Sequence, residues 1–421
     1  MLLTNTLIYA FANIFVSGTF YTGFLTQNGI DIVNVGIIAF IPYIAWIFSL
    51  FSPVLLRRFK KRRGVLLFNH IFYYGCIVLA TTVMPLFVRD PGRRTVWFGV
   101  LLLLGNLSNA LVGGGSTAWH MHFIPEDDNE RNAYFSLDNL VSNVMSTAAI
   151  IIASVLADAL AGSPHQQTVL VVLRYISFVL FMVEGYFIIM VPKEYPYKLS
   201  EKVRLADVFV KPVKCRKFLL TALIAVIWNG VGNVNASTWN YYILNTVGIR
   251  YILTYTCSFA TMICSLLMLN WWRGLIRRIG WFKVLVLTVF VTGILEFCIG
   301  FTTPKTIWLY VLVTIAQGVN MVGAQLVFAN MFYLNLPDTD TDHFTTFWNL
   351  IVNVSILLGQ MGGTAFLALI ERKGTVPVFG MQMYGSQLLV WIKCIGYLCL
   401  CVYIVKVTPH IRPDARPKST E

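Results

Sequence analysis

Apolar runs of about twenty residues, the length that crosses the hydrocarbon of a bilayer as a helix, recur from one end of this chain to the other. Twelve are expected, at 3–26, 32–56, 64–88, 95–123, 132–160, 167–192, 218–246, 251–272, 281–303, 306–335, 343–370 and 383–408. Inside lipid every backbone N–H and C=O must find a protein partner, and apolar runs of this length read as transmembrane helices. Composition agrees: 57% of the 421 residues are hydrophobic and only 12% are charged, about half the charged share of an ordinary soluble domain. Disorder, a disulfide-stapled secreted module and a nucleic-acid-binding protein are excluded on the same ground. The first run lacks a basic leader and carries Asn5 and Asn13, so it reads as a true span and not as a cleaved signal.

The formal net charge of +13 is unevenly distributed. With the N-terminus inside, 23 of the 32 basic residues fall on cytoplasmic segments, chiefly Arg57–Arg63, Lys193–Lys217 and the turn from Arg273 to Lys283, against seven on the outer loops. The positive-inside rule places both termini in the cytoplasm of a multi-pass protein of the cell membrane. The eight cysteines show neither an even framework nor zinc spacing and read as small buried hydrophobes. His120-Met-His122 places two imidazoles at i and i+2, which point apart on a helix, so no metal is expected there. The Asn235-Ala-Ser237 sequon lies within a span, and no ATP-binding sequence is present. No cofactor is expected.

The chain is written twice. Thr19, Leu25 and Gly29-Ile30 of the first span answer Thr238, Leu244 and Gly248-Ile249 of the seventh. Leu55-Leu-Arg-Arg-Phe59 answers Leu275-Ile-Arg-Arg-Ile279, Asn106-x-x-Asn109 answers Gln317-x-x-Asn320, Asn139 and Asn143 answer Asn349 and Asn353, and Arg174 falls opposite Lys393. Five ordered registers predict a six-plus-six duplication: an N-terminal bundle over 1–192, a basic cytoplasmic linker over 193–217, a C-terminal bundle over 218–408 and a tail over 409–421.

With its duplicated six-span halves, long basic central loop and Arg-rich turns, the chain resembles the major facilitator superfamily over its whole length. Arg57-Arg-Phe-Lys-Lys-Arg-Arg63 and Arg277-Arg-Ile-Gly280 sit where that superfamily carries a Gly-x-x-x-Asp-Arg-x-Gly-Arg-Arg turn. The first copy lacks the Asp and both Gly residues, and the second keeps Arg278-x-Gly280. The resemblance implies an all-α membrane fold of two pseudo-symmetric six-helix bundles, alternating access, a cytoplasmic gate at Arg57, Arg58, Arg277 and Arg278, and spans 1, 4, 7 and 10 around the solute. The acidic turns Glu126–Glu130 and Asp338–Asp342 are either partners of the basic turns or solvated loop tips.

Polar residues within spans fall on the same four helices. Asn106, Asn109, Gly113, Ser116 and His120 follow steps of three and four, which stack them on one stripe. Asn229, Asn233 and Asn240, flanked by Trp228, do so in span 7, Gln317 and Asn320 in span 10, and Tyr21 with Asn13 and Ser17 in span 1. Uncharged amides and hydroxyls beside aromatic rings suit a polar organic solute such as a sugar or nucleoside. The alternative is that the amides tie helices together. Ionisable residues within spans are few: Asp138, Arg174, Glu184, Glu296 and Lys393, with His70, His120 and His122. Asp138 is the expected coupling carboxylate, whereas Arg174 and Lys393 are expected to snorkel or to bind a lipid headgroup. The resulting expectation is a monomeric secondary transporter of a small polar solute, in contact with lipid and with protons if coupled. An exporter of amphipathic drugs is the near rival, and a polytopic membrane enzyme or a non-cycling sensor stand further off.

Overall fold

The computed structural model describes residues 2–411 apart from 57, 125–127, 160–165, 195–204, 335–340, 372–373 and 379. The chain runs through α1 (Leu2–Val16), α2 (Gly18–Gln27), α3 (Ile32–Ile47), α4 (Ser52–Leu56), α5 (Arg63–Tyr74), a π-helical stretch Gly75–Ala80, α6 (Thr81–Phe87), α7 (Pro91–His122), α8 (Asp128–Ala159) and α9 (Gln166–Gly185). It continues through α10 (Leu205–Lys214), α11 (Arg216–Gly232), α12 (Ala236–Tyr241), α13 (Tyr251–Ile279), α14 (Trp281–Ile299), α15 (Ile307–Leu334), α16 (Thr341–Glu371), strands β1 (Thr375–Val378) and β2 (Met381–Tyr384), and α17 (Gly385–Ile411). Among the described residues ten helical stretches are long and apolar enough to cross a membrane, and eleven when α13, bent by 48° beside Leu267, counts as one span. The expected seventh span is divided. It breaks at Asn233–Asn235, where the Asn233 amide donates to the Asn229 carbonyl, so the side chain competes for the helix's own acceptors.

Span 1 breaks close to the equivalent place. Ser17 is extended, its hydroxyl donates to the Asn13 carbonyl at 2.6 Å, and Gly18 follows at a φ of +57°. A second departure from the sequence reading lies between α16 and α17, where a loop is expected. There β1 and β2 form an antiparallel hairpin pairing Thr375 with Tyr384, and Gln387 ties its end to the Gly300 and Thr302 carbonyls.

The contacts group into two compact units, Met1–Glu201 with Ser237–Tyr255, and Lys202–Ala236 with Thr256–Glu421. In the first, α1 packs on α8 and α9, and α3 and α5 pack on α7. Ala149, Ala153 and Ala157, buried at four-residue spacing, let α8 come close, and Phe15, Phe20, Phe24 and Phe98 fill the core. The 237–255 segment joins this unit through Phe20, which stacks on Tyr251 and Tyr255, and through Asp158, whose carboxylate accepts from the Tyr251 and Ile252 amides at the start of α13. In the second unit α14 packs on α15 and α17, and α11 on α16 and α17. Large apolar side chains such as Phe68, Leu267 and Leu369 are left exposed, as a lipid-facing surface requires.

Arg174 does not snorkel. It is 1% exposed, and its guanidinium donates to Thr82 Oγ1 at 2.8 Å, Thr81 Oγ1 at 2.7 Å and the Ile77 carbonyl at 3.0 Å, with its Cζ 4.3 Å from the Phe24 ring centroid. The π-helical stretch loosens the regular hydrogen-bond ladder where Arg174 arrives, so carbonyls otherwise saturated by the helix accept from the side chain.

Two substitutions probe this packing. Arg174→Leu removes the guanidinium's hydrogen bonds to Thr81, Thr82 and the Ile77 carbonyl, although both hydroxyls still donate to the Ile77 and Val78 carbonyls, and is expected to cost about 1–3 kcal/mol, with Arg174→Lys losing less, read as the thermal unfolding midpoint of detergent-purified protein. A Cβ on Gly359 would lie 2.2 Å from the Gly230 carbonyl oxygen. Gly359→Val is therefore expected to force α11 from α16 at about 1–3 kcal/mol, in the same assay, whereas Gly362→Ala, with open space around it, is expected to be neutral.

Candidate functional site

Each unit contains a cavity walled by the polar residues of its spans. The N-terminal cavity, about 440 Å³, takes Asn5 and Tyr9 from α1, Asn69 and His70 from α5, Asn109, Ser116 and His120 from α7, and Glu184 from α9. Its amides are chained: Ser108 donates to Asn69 Oδ1 at 2.7 Å, and Asn69 Nδ2 donates to Asn109 Oδ1 at 3.4 Å. His70 Nε2 lies 2.7 Å from the Phe181 carbonyl and 3.2 Å from Glu184 Oε2. One Nε2 hydrogen serves one acceptor well, and the shorter contact takes it. Glu184 Oε2 is then buried with an ion-pair neighbour but no hydrogen bond. Gly185 makes room for this arrangement, since a Cβ there would sit 2.5 Å from the His70 ring.

The C-terminal cavity, about 260 Å³, is lined by Trp228, Asn229, Gly232 and Asn233 from α11 and its end, Thr292 and Glu296 from α14, Gln317 and Met321 from α15, and Lys393 and Tyr397 from α17. Lys393 Nζ stands 2.8 Å from Glu296 Oε1 with both side chains about nine-tenths buried. Like Arg174, Lys393 turns inward, because a carboxylate within reach satisfies it better than a long path to the interface.

These ion pairs occupy equivalent helices of the two halves. His70 and Glu184 lie on the third and sixth spans, Glu296 and Lys393 on the ninth and twelfth. The acid and base exchange places between the halves, and the partner changes from an imidazole to an ammonium. Sequence reasoning identified all four as rare intramembrane ionisable groups but weighted Asp138 above them.

Of the expected solute contacts, Asn109 lines the first cavity, and Trp228, Asn229, Asn233 and Gln317 line the second. Tyr21, Asn106, Asn240 and Asn320 line neither. Asn106 donates to its own helix at Leu102, and Asn320 gives its amide hydrogens to the Thr288 carbonyl and Thr292 Oγ1 on α14, a clamp between helices. Tyr21 packs beneath Arg174. Asp138 accepts from the Thr6 hydroxyl and from Tyr134, whose hydroxyl also lies 3.3 Å from His120 Nε2 on the first cavity's wall. Arg58, Arg277 and Arg278 are exposed, while Arg57 lies outside the described residues, as do Glu126, Asp127 and Asp338–Asp340 of the acidic turns. Among the described residues no group of three His, Cys, Asp or Glu side chains is placed to hold a metal.

The buried pair in the second cavity sets a clear expectation. Removing one partner leaves an uncompensated charge, so Lys393→Met and Glu296→Gln are each expected to cost about 3–5 kcal/mol, and the double variant to recover most of it. Thermal unfolding of the four proteins closes the cycle, and additive losses would show that the two groups do not interact.

No family model matches this chain, and no curated protein matches it. Solved structures do. A mutant of the nucleoside transporter NupG superposes at a TM-score of 0.70 with 14% identity over 96% of this chain and 99% of its own. A bacterial homologue of the iron transporter ferroportin, in its inward-facing state, gives 0.69 with 14% identity over 96% and 97%. An autoinhibited POT family peptide transporter gives 0.65 with 12% identity over 100% and 98%. Likeness of this extent at such low identity is a likeness of architecture, and the chain is a multi-pass membrane protein with the major facilitator fold.

Proposed function

We propose that this protein is a secondary active transporter that moves a small polar organic solute across the cell membrane by alternating access. The observation that carries the reading is the C-terminal cavity, where Asn229, Asn233 and Gln317 beside Trp228 meet the Glu296–Lys393 pair. Amides can exchange hydrogen bonds with a solute, an aromatic wall packs against its ring, and charges neutralised by one another leave the cavity polar without selecting a net charge. The solved structures of like fold are described as a nucleoside transporter, a peptide transporter and a homologue of an iron transporter, and nucleosides and peptides are polar organic solutes.

In this reading a proton gradient supplies the energy. Asp138 serves as coupling carboxylate through Tyr134 and His120 at the first cavity. The Arg clusters at Arg57-Arg58 and Arg277-Arg278 form the cytoplasmic gate, both termini are cytoplasmic, and the carrier works as a monomer in contact with lipid. The domain plan is an N-terminal bundle to residue 192, a linker to 217 and a C-terminal bundle to 408. A second reading, export of amphipathic compounds, draws on the aromatic wall of the N-terminal cavity.

Uptake of labelled uridine, glucose and a dipeptide into proteoliposomes tests the first reading. Saturable uptake of one of them is expected, and Gln317→Leu should raise its KM about tenfold by removing a hydrogen-bonding group. No saturable uptake of any, with a lipophilic dye moved instead, would transfer the assignment to the exporter.

A further inference from the structure

The two cavities differ in what their walls can neutralise. In the C-terminal cavity Glu296 is held by the ammonium of Lys393 at 2.8 Å. The N-terminal cavity has Glu184 on its wall and, among the described residues that line it, neither Lys nor Arg. Its basic groups are two imidazoles, which carry at most part of a charge near neutrality. His70 Nε2 is engaged with the Phe181 carbonyl, and His120 lies against the Tyr134 hydroxyl. Glu184 is 6% exposed, and its Oε2 lacks a hydrogen-bond donor. Asn5 Oδ1, on the same wall, is likewise a buried acceptor without a donor.

Around these acceptors stand Tyr9, Trp46, Tyr73, Tyr74 and Trp119. Tyr74 is fixed by stacking on Phe181 at 3.9 Å, and Trp119 by its indole N–H donating to the Ile188 carbonyl at 2.7 Å. Fixed aromatic rings grouped around one carboxylate attract a positive charge that carries apolar substituents, because the ring faces and the carboxylate act on it together. A sugar hydroxyl would donate to the carboxylate but leave its charge unneutralised, and an anion would be repelled by it.

We propose that the N-terminal cavity binds an organic cation, an amine or quaternary ammonium, with its charge beside Glu184 and its apolar substituents among the aromatic side chains. At about 440 Å³ the cavity is of a size that holds drug-sized molecules. The proposal names the substrate class of one half of the carrier and gains its transport meaning from the carrier reading, but binding can be measured without transport.

Titration calorimetry of the detergent-purified full chain at pH 9, with tetraethylammonium and ethidium as probes and with glucose and uridine as uncharged controls, tests it. Wild type is expected to bind at least one of the two cations. Glu184→Gln, which keeps the shape of the side chain, is expected to raise that Kd at least about tenfold by removing the charge. Tyr9→Leu, at an exposed position that tolerates change, is expected to raise it roughly threefold. No heat with either cation, or a Glu184→Gln protein that binds them as tightly as wild type, overturns the proposal. Should Glu184→Gln fail to fold, the Tyr9→Leu protein decides: an unchanged Kd overturns the proposal and a weakened one upholds it. Glu184-dependent binding by a protein that takes up no solute in vesicles would sink the carrier reading and leave the cation site standing. Uridine uptake without cation binding would do the reverse.

Discussion

Hydrocarbon offers no hydrogen bonds, and that single fact governs where polar side chains can stand in this protein. Arg174 illustrates the cost and its solution. A guanidinium cannot remain in an apolar bundle unless several acceptors converge on it, and a regular helix has few carbonyls to spare. The π-helical turn at Gly75–Ala80, followed by Thr81 and Thr82, supplies both carbonyls and hydroxyls. The dependence runs chiefly one way: the Thr81 and Thr82 hydroxyls also donate to the Ile77 and Val78 carbonyls, whereas without this turn Arg174 loses its acceptors. The same logic recurs at Trp119 and Trp272, whose indole N–H groups reach the Ile188 and Val319 carbonyls, and at Gln387, which serves the carbonyls that end α14.

The constraint also explains why the two ion pairs matter more than their number suggests. Charges are scarce in these spans, and each that appears inside a unit needs compensation from its own neighbours. Where the partner is Lys393, compensation is complete and the cavity is electrically settled. Where the partner is His70, whose N–H is taken by a backbone carbonyl, compensation is incomplete. Duplication placed a charged pair between equivalent helices in both halves, and the change of one partner from ammonium to imidazole separates their chemistry.

Much of the architecture was legible because it depends on patterns that are long and redundant. Twelve apolar runs, the alternation of basic loops and five matched registers all lead to the major facilitator fold, and no one residue decides any of them. The walls of the cavities were legible in part. The stripe rule found Asn109, Asn229, Asn233 and Gln317, which do face cavities, because helical periodicity says which residues share a face. It says nothing about what that face meets, and so it also selected Asn106 and Asn320, which bond to Leu102 and to α14. Arg174 and Lys393 were misplaced for a related reason. Snorkelling is the general solution for a long basic side chain near a span's end, and only the three-dimensional neighbourhood reveals that a nearer acceptor exists.

The breaks in spans 1 and 7 show how far the duplication extends. Neither contains proline. In one, a serine hydroxyl and a glycine interrupt the helix, and in the other an asparagine amide does, yet they fall close to one another in the register of the repeat. Different residues have thus kept a common geometry, as would follow if the discontinuity itself were the useful feature. A broken helix exposes carbonyls and amides at depths where a regular one exposes none, and it lets the two parts of a span tilt separately. In the C-terminal unit the break begins at Asn233, on the wall of the cavity that also holds Glu296 and Lys393. The irregular backbone, the ion pair and the amide stripe thus converge on one cavity, the Asn229 and Asn233 amides satisfied by their own helix and Glu296 and Lys393 by each other.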